Sequence, residues 1–151
     1  MTEDDTTTPP ARLRALISWQ ANRVNILGAR LTGARMPATG RADFAVLAAL
    51  EEDGPISQAD LGRKLGLDRN TINGIVTRLD HADQIVRATD PADRRRNTVA
   101  ITPLGRRYLD ELQAATDTVQ AELAAPLSTA EAAQLQRLLG KILDAHPGLP
   151  G

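Results

Sequence analysis

The chain has 151 residues, of which 42% are hydrophobic and 25% are charged, and its formal net charge is −1. This length suits one domain or one protomer of an interlocked dimer. The absence of cysteine excludes disulfides, iron–sulfur clusters and thiol-based redox sensing. No stretch approaches the roughly eighteen apolar residues that span a membrane, and no signal peptide opens the chain, so we expect a soluble, cytoplasmic protein without a membrane partner.

The small net charge conceals an uneven distribution along the chain. Residues 63 to 107 hold ten Lys or Arg and five Asp or Glu, whereas residues 1 to 62 hold six basic and eight acidic residues. Residues 108 to 151 hold two basic and six acidic residues. Because a merely solvated helical face would mix the signs, this concentration of positive charge indicates one surface that faces a polyanion such as DNA.

The first third of the chain predicts a tail followed by two helices. Residues 1 to 10 are acidic and rich in threonine, so we expect them to be disordered. Apolar residues at helical spacing predict a long helix over residues 11 to 34, ended by Pro37 and Gly40. The same spacing predicts a shorter helix over residues 41 to 52.

Two short helices joined by a tight turn are predicted between residues 57 and 82. Ser57 is placed to cap a helix that Gly66 ends, and Asp68 is placed to cap a second helix that begins at Arg69. The apolar residues of this second helix recur at helical spacing and predict its buried side: Ile72, Ile75, Val76 and Leu79. Together the two helices form a predicted helix-turn-helix.

The opposite side of the second helix is polar, small and hydrogen-bonding. It carries Asn70, Gly74, Thr77 and His81, flanked by Asn73 and Arg78. Gly74 costs the helix about 1 kcal/mol relative to alanine, and a DNA groove that approaches the backbone closely would explain this loss. The alternative interpretation is an ordinary solvated helix face.

A charged β-hairpin is predicted after the helix pair. We expect strands over residues 84 to 88 and 98 to 101, with Ile56 adding one residue to their sheet. The tip between the strands contains a turn dipeptide and three consecutive arginines: Asp90-Pro91-Ala92-Asp93-Arg94-Arg95-Arg96. Three adjacent guanidiniums repel one another and are costly to bury, so the tip must face water or a polyanion.

Two further helices are predicted at the end of the chain. One runs from residue 103 to about 125 and is ended by Pro126, and the other follows a capping box of Ser128 and Glu131. Together with the first helix they carry more aliphatic surface than one small module can cover. We therefore expect burial against a second copy and a twofold homodimer.

This order of elements resembles the MarR family of bacterial transcription regulators. The most specific signal is Asp93-Arg94-Arg95 with Thr102 and Gly105, which is similar to the family's wing signature. The resemblance implies a mainly α fold with a small β-wing, in which residues 1 to 10 form a tail and residues 11 to 40 an N-terminal dimerisation helix. Residues 41 to 102 would form the winged helix-turn-helix, and residues 103 to 147 the C-terminal dimerisation helices.

The resemblance also implies a function. We expect a dimeric regulator, and more specifically a repressor, that binds palindromic double-stranded DNA and releases it when a ligand changes the separation of its recognition helices. Arg95 corresponds to the wing arginine that enters the minor groove, and Asp93 to the acid that holds it. The predicted DNA-contacting residues are Arg69, Asn70, Thr71, Asn73, Gly74, Thr77, Arg78, Asp93, Arg94, Arg95 and Arg96.

In the resembling family, small aromatic or phenolic ligands bind where the dimerisation helices meet the winged module. Trp19, Arg23 and Phe44 are the candidate pocket residues, although such aromatic side chains also suit a core or a dimer interface. Two alternatives remain, a winged-helix module that binds another protein and a metal-dependent regulator. For the second, His81 and His146 would need carboxylate ligands at a spacing that the sequence does not show. No motif predicts an enzyme or a cofactor.

Overall fold

The computed structural model describes residues 8 to 89, 91 to 93 and 97 to 147, so most of the tail predicted over residues 1 to 10 lies outside the described residues. In chain order the elements are α1 (Ala11–Arg14), α2 (Ile17–Gly33), α3 (Gly40–Asp53), β1 (Ile56–Ser57), α4 (Gln58–Leu65), α5 (Arg69–His81), β2 (Ile85–Thr89), β3 (Asn97–Ile101), α6 (Pro103–Leu123) and α7 (Thr129–Asp144). The expectation of a mainly α fold with a small β-wing is confirmed.

The prediction of a single long helix over residues 11 to 34 is wrong, because the helix is interrupted between α1 and α2. Leu16 has an extended backbone, with φ −81° and ψ 123°. The Gln20 side-chain amide donates a 2.8 Å hydrogen bond to the carbonyl oxygen of Arg14. A side-chain amide therefore satisfies one of the carbonyl groups that the early end of α1 leaves open.

The local signals that define the helix pair are confirmed. The Ser57 hydroxyl accepts a 3.1 Å hydrogen bond from the Asp60 backbone N–H at the start of α4. Gly66 ends that helix with φ +64°, a left-handed conformation that glycine adopts at little cost. Asp68 caps α5, whose four predicted apolar residues are all buried.

A three-stranded antiparallel sheet of order β1–β3–β2 forms the wing. Val99 in the central strand lies opposite Ile56 on one side and Arg87 on the other, and it is fully buried. At the end of β3 the Thr102 hydroxyl donates to the Asp83 carbonyl at 2.6 Å and accepts from the Gly105 backbone N–H at 3.0 Å. These bonds fasten the base of the wing to the first turn of α6.

The core is built around α3. Val46, Leu47 and Leu50 on this helix are fully buried and belong to one cluster with apolar residues of α4, α5, β3 and α6. Burial of a large aliphatic side chain stabilises a fold by roughly 1.5 to 3 kcal/mol. The helix that supports α5 is therefore anchored in the core of the described structure.

The terminal helices expose apolar surface in the single chain. No residue of α1, α2 or α7 is buried. The exposed large side chains include Leu13, Leu16, Ile17, Val24, Ile26, Leu27, Leu135, Leu138, Leu139, Ile142 and Leu143. Within the part of the chain that the structure describes, no helix is both long and apolar enough to cross a membrane.

Candidate nucleic-acid interface

The start of α5 is organised by the side chain of Asp68. Its carboxylate accepts hydrogen bonds of 2.9 Å from the backbone N–H groups of Asn70 and Thr71, and one of 2.6 Å from the Thr71 hydroxyl. These bonds, first of all the one from the Thr71 hydroxyl, lower the pKa of Asp68. The hydroxyl proton of Thr71 is therefore used in the hydrogen bond to Asp68, while the hydroxyl oxygen can still accept a hydrogen bond.

The predicted outward face of α5 is accessible at its N-terminal half. Arg69, Asn70, Asn73 and Gly74 are exposed. The Asn73 side-chain oxygen accepts a 3.3 Å hydrogen bond from the Gln58 amide at the start of α4. This long, exposed contact leaves the Asn73 amide group available to a partner in the groove.

Gly74 has no packing role inside the protomer. A Cβ atom built on this residue would meet no heavy atom within 4 Å, and the φ angle of Gly74 is not positive. Neither crowding nor backbone conformation therefore requires glycine at this place in the described structure. Gly74 therefore costs the helix about 1 kcal/mol without a compensating contact among the described residues.

A concave surface of about 680 Å³ lies between the first turn of α4, the exposed side of α5 and the wing strands. It is lined on the helix side by Gln58, Arg63, Arg69 and Asn73 and on the wing side by Arg87 and Asn97. Among the described residues, Arg69 has no acidic partner, whereas Arg63 pairs with Asp60 within α4. The surface thus combines guanidinium and amide groups.

The C-terminal half of the predicted contact set has partners inside the protein. Thr77 is half-buried, and its hydroxyl accepts a 2.7 Å hydrogen bond from Arg87 of β2. The Arg87 Nε atom lies 3.3 Å from an Asp80 oxygen, without hydrogen-bond geometry. Arg87 therefore ties the wing to α5, a role that sequence reasoning missed because its partners lie seven and ten positions away on another element.

Arg78 was predicted to face DNA, and the structure turns it towards α3. Its guanidinium donates to the carboxylate of Asp43, which is 2% exposed. Tyr108 of α6 donates to the other oxygen of the same carboxylate at 3.2 Å. Sequence reasoning missed Asp43, yet the signal was present, since this acid lies on the apolar side of α3, four positions before Leu47.

The tip of the wing is described only in part. Asp93 is exposed at the edge of the described tip. Arg94, Arg95 and Arg96 lie outside the described residues, so their predicted contacts stay predictions. The strands that carry the tip are in register up to Thr89 and Asn97.

A second cavity, of about 260 Å³, lies between α2, α3 and α6. Phe44, one of the three predicted ligand residues, lines it together with Arg41, Met36 and Val119. Arg41 was missed, and it lines the same cavity as Phe44, which is large enough for one small ring.

The other two predicted ligand residues lie elsewhere. Trp19 and Arg23 are one turn apart on α2, and the Arg23 guanidinium carbon lies 5.8 Å from the centroid of the Trp19 ring. Arg23 borders a separate shallow depression on the outside of α2. A cation over the face of an indole is a favourable pair in its own right. The structure does not bring Trp19 and Arg23 into the cavity that Phe44 lines.

The fold and this surface define a winged helix-turn-helix protein. The sequence model of the MarR family matches residues 41–96. The repressor NicR of Pseudomonas putida is 33% identical over 102 residues, which span 68% of this chain and 65% of NicR, just under two thirds of its length. The regulator MgrA of Staphylococcus aureus is 31% identical over 102 residues, which span 68% of this chain and 68% of MgrA. The chain therefore belongs to the MarR family of transcription regulators.

Solved structures agree with this assignment. A probable transcriptional regulator from Pseudomonas aeruginosa superposes with a TM-score of 0.74 at 34% identity, over 87% of this chain and 99% of that one. BpsR from Bordetella bronchiseptica superposes with a TM-score of 0.73 at 26% identity, over 83% of this chain and 97% of BpsR, and its DNA binding is described as regulated by 6-hydroxynicotinic acid. These relatives are regulators of transcription and not enzymes.

Proposed function

We propose that this protein is a dimeric, cytoplasmic repressor that binds palindromic operator DNA and responds to a small aromatic acid. The observation that carries the proposal is the exposed N-terminal half of α5, where a Cβ atom added to Gly74 would meet open space beside a surface rich in arginine. A helix with such a face fits the major groove, whose floor presents hydrogen-bonding base edges.

Several groups on this surface have a proposed partner in DNA. The amides of Asn70 and Asn73 suit base edges, and Arg69 suits a base edge or a phosphate. The N-terminus of α4 opens on the same concave surface, where its backbone N–H groups favour an anion. In the wing, Arg95 would enter the minor groove beside Asp93, and the two neighbouring arginines would meet phosphates.

The dimer is proposed from the apolar surface of the terminal helices. The ten exposed large side chains of α1, α2 and α7, with Leu16 between the first two helices, form more apolar surface than a soluble monomer usually shows. Pairing these helices with those of a second copy would bury that surface. It would also place two α5 helices on one side of the dimer, as a palindromic site requires.

The ligand site is proposed at the cavity between α2, α3 and α6. Phe44 supplies an aromatic wall and Arg41 a cation, a pair that suits a ring bearing a carboxylate. Because this cavity touches both a proposed dimerisation helix and the helix that supports α5, a ligand there can shift one against the other. It can change DNA affinity only by its preference for one arrangement, commonly 1 to 3 kcal/mol.

DNA binding is tested with a fluorescent duplex from the region upstream of the protein's own gene. We expect affinity to fall by about 10³ to 10⁵ between 50 and 200 mM salt if six to ten phosphates are contacted. Arg69→Ala should weaken binding and, if each protomer loses one phosphate contact, reduce the salt slope by about 2. Arg137→Ala on α7 is the control for lost charge, and equal behaviour of the two variants would contradict the proposal.

The ligand claim is tested separately, with 6-hydroxynicotinic acid as the first probe of a panel of small aromatic acids. A responding acid should weaken operator binding by the wild-type protein. Arg41→Gln should reduce that response, whereas Arg23→Gln, which alters a guanidinium outside the cavity, should keep it. If no acid of the panel changes wild-type binding, the ligand proposal fails while the DNA proposal stands.

A further inference from the structure

A buried carboxylate joins three helices below the DNA-facing surface. Asp43 is the buried charged residue among those that the structure describes, and it lies on the first turn of α3. One of its oxygens accepts from the Arg78 guanidinium of α5. The other accepts from the Tyr108 hydroxyl of α6 at 3.2 Å.

This arrangement restrains geometry more than apolar packing can. Apolar side chains tolerate small sliding of one helix over another, whereas hydrogen bonds weaken steeply when their angle changes. Each oxygen of Asp43 points at a different helix, so one carboxylate relates the orientation of α5 to that of α6. The wing contact between Arg87 and Thr77 restrains the same part of α5 at the neighbouring residue.

Stability is a poor explanation for the buried charge. A buried ion pair is commonly no more stabilising than apolar residues of the same volume, because removing two charges from water offsets their attraction. Arg78 is moreover 40% exposed, which screens its attraction to Asp43. The position under α5 suggests a role in recognition.

We propose that Asp43 is a positioning residue for DNA recognition, which holds α5 at the angle to α3 and α6 that the operator requires. The inference rests on the proposed function, since it takes α5 as the recognition helix. Arg78 then acts through its hydrogen bond to Asp43 and not through DNA. The side-chain amides of Asn70 and Asn73 depend on this contact for their position, although they do not take part in it.

The network has its own spectroscopic reporter. Tyr108 is the single tyrosine of the chain. Burial, followed by the negative charge and hydrogen bond of Asp43, raises the pKa of Tyr108. Tyrosinate absorbance as a function of pH therefore reports whether Asp43 contacts this hydroxyl, and Asp43→Asn should lower the pKa of Tyr108.

The experiment compares Asp43→Asn, Tyr108→Phe and the control Asp110→Asn in the full chain. Asp110 is an exposed carboxylate on α6, so the control makes the same change of charge without touching the network. We expect Asp43→Asn to weaken operator binding by about tenfold. Affinity for unrelated duplex and its salt slope should stay at the control values, because phosphate contacts do not require the correct angle of α5.

A double-mutant cycle separates positioning from direct contact. If Arg78 positions α5 through Asp43, Arg78→Gln should add little to the loss caused by Asp43→Asn. If Arg78 instead contacts DNA, Asp43→Asn frees it and operator binding should be unchanged or tighter, which would overturn the inference. Should Asp43→Asn fold poorly, Tyr108→Phe removes one hydroxyl and carries the same test, with a smaller expected loss of operator affinity.

The two proposals fail in different ways. Wild-type protein that binds no duplex overturns the proposed function and the positioning role with it. Wild-type protein that binds its operator, together with Asp43→Asn and Tyr108→Phe variants of the same affinity, overturns the positioning role alone.

Discussion

The Gly74→Ala variant should be more stable than the wild type and worse at binding DNA. Gly74 lies inside α5, where alanine is favoured over glycine by about 1 kcal/mol. Since no heavy atom lies within 4 Å of the added Cβ, no clash offsets this gain. The melting temperature should therefore rise by about 2 to 4 °C for a chain of this size.

DNA binding by this variant should change in the opposite direction. If a groove packs against the α5 backbone, the added methyl group overpacks the interface at a cost of about 1 to 3 kcal/mol, which is roughly a 5- to 150-fold loss of affinity. Urea denaturation measures the first effect and titration of a labelled operator the second. Gly33→Ala at the end of α2, also with open space around its Cβ, is the matched control and should bind DNA normally.

Two results would refute the reasoning about Gly74. Higher stability with unchanged operator affinity would mean that DNA does not approach the backbone of α5 at this residue. Lower stability would mean that Gly74 has a neighbour within the protein after all.

Three further predictions concern the fold, the pH dependence and the dimer. Gly105→Ala should lower the free energy of unfolding by about 1 to 3 kcal/mol or more, because its Cβ would lie 1.9 Å from the Gln84 carbonyl oxygen; wild-type stability in urea would contradict the close approach of α6 to the wing. The raised pKa of Tyr108 means that above pH 10.0, the ordinary phenol value, the folded chain retains a proton that the unfolded chain releases. Stability should therefore fall as pH rises through that window, and more gently in Tyr108→Phe; parallel curves would show that Tyr108 does not contribute. Leu139→Asp on the exposed face of α7 should give monomers in sedimentation measurements, and a stable dimer would place the interface elsewhere.

Local signals in the sequence were sufficient to predict the helix-turn-helix. Ser57, Gly66 and Asp68 act through hydrogen bonds or backbone angles within three residues of themselves, so their effect is readable without a fold. The same holds for the capping box of Ser128 and Glu131, in which both reciprocal bonds are present.

Contacts between distant residues were not predictable in this way. Arg78 fits the outer side of α5 on a helical wheel, yet its partner lies 35 positions earlier in the chain. The wheel places a Cα atom, whereas a long arginine side chain can reach around the helix to a buried carboxylate. Arg41 was missed for a related reason, since the cavity that it lines is formed by helices far apart in sequence.

The break between α1 and α2 was also not predictable from the sequence. Residues 11 to 34 have apolar residues at helical spacing throughout, and periodicity alone contains no signal for an interruption. The Gln20 side chain donates a hydrogen bond to the Arg14 carbonyl, which the interruption would otherwise leave without a partner. Such side-chain caps at the end of a helix have weak sequence signatures.

Whether two α5 helices of a dimer bind DNA can be measured by a hydroxyl-radical footprint on the region upstream of the protein's own gene. We expect two protected segments related by a dyad, with centres separated by about 10 to 10.5 base pairs or a multiple of this spacing. Asn73→Ala should weaken both segments equally. A single protected segment without a dyad, or a footprint that Asn73→Ala leaves unchanged, would contradict the claim.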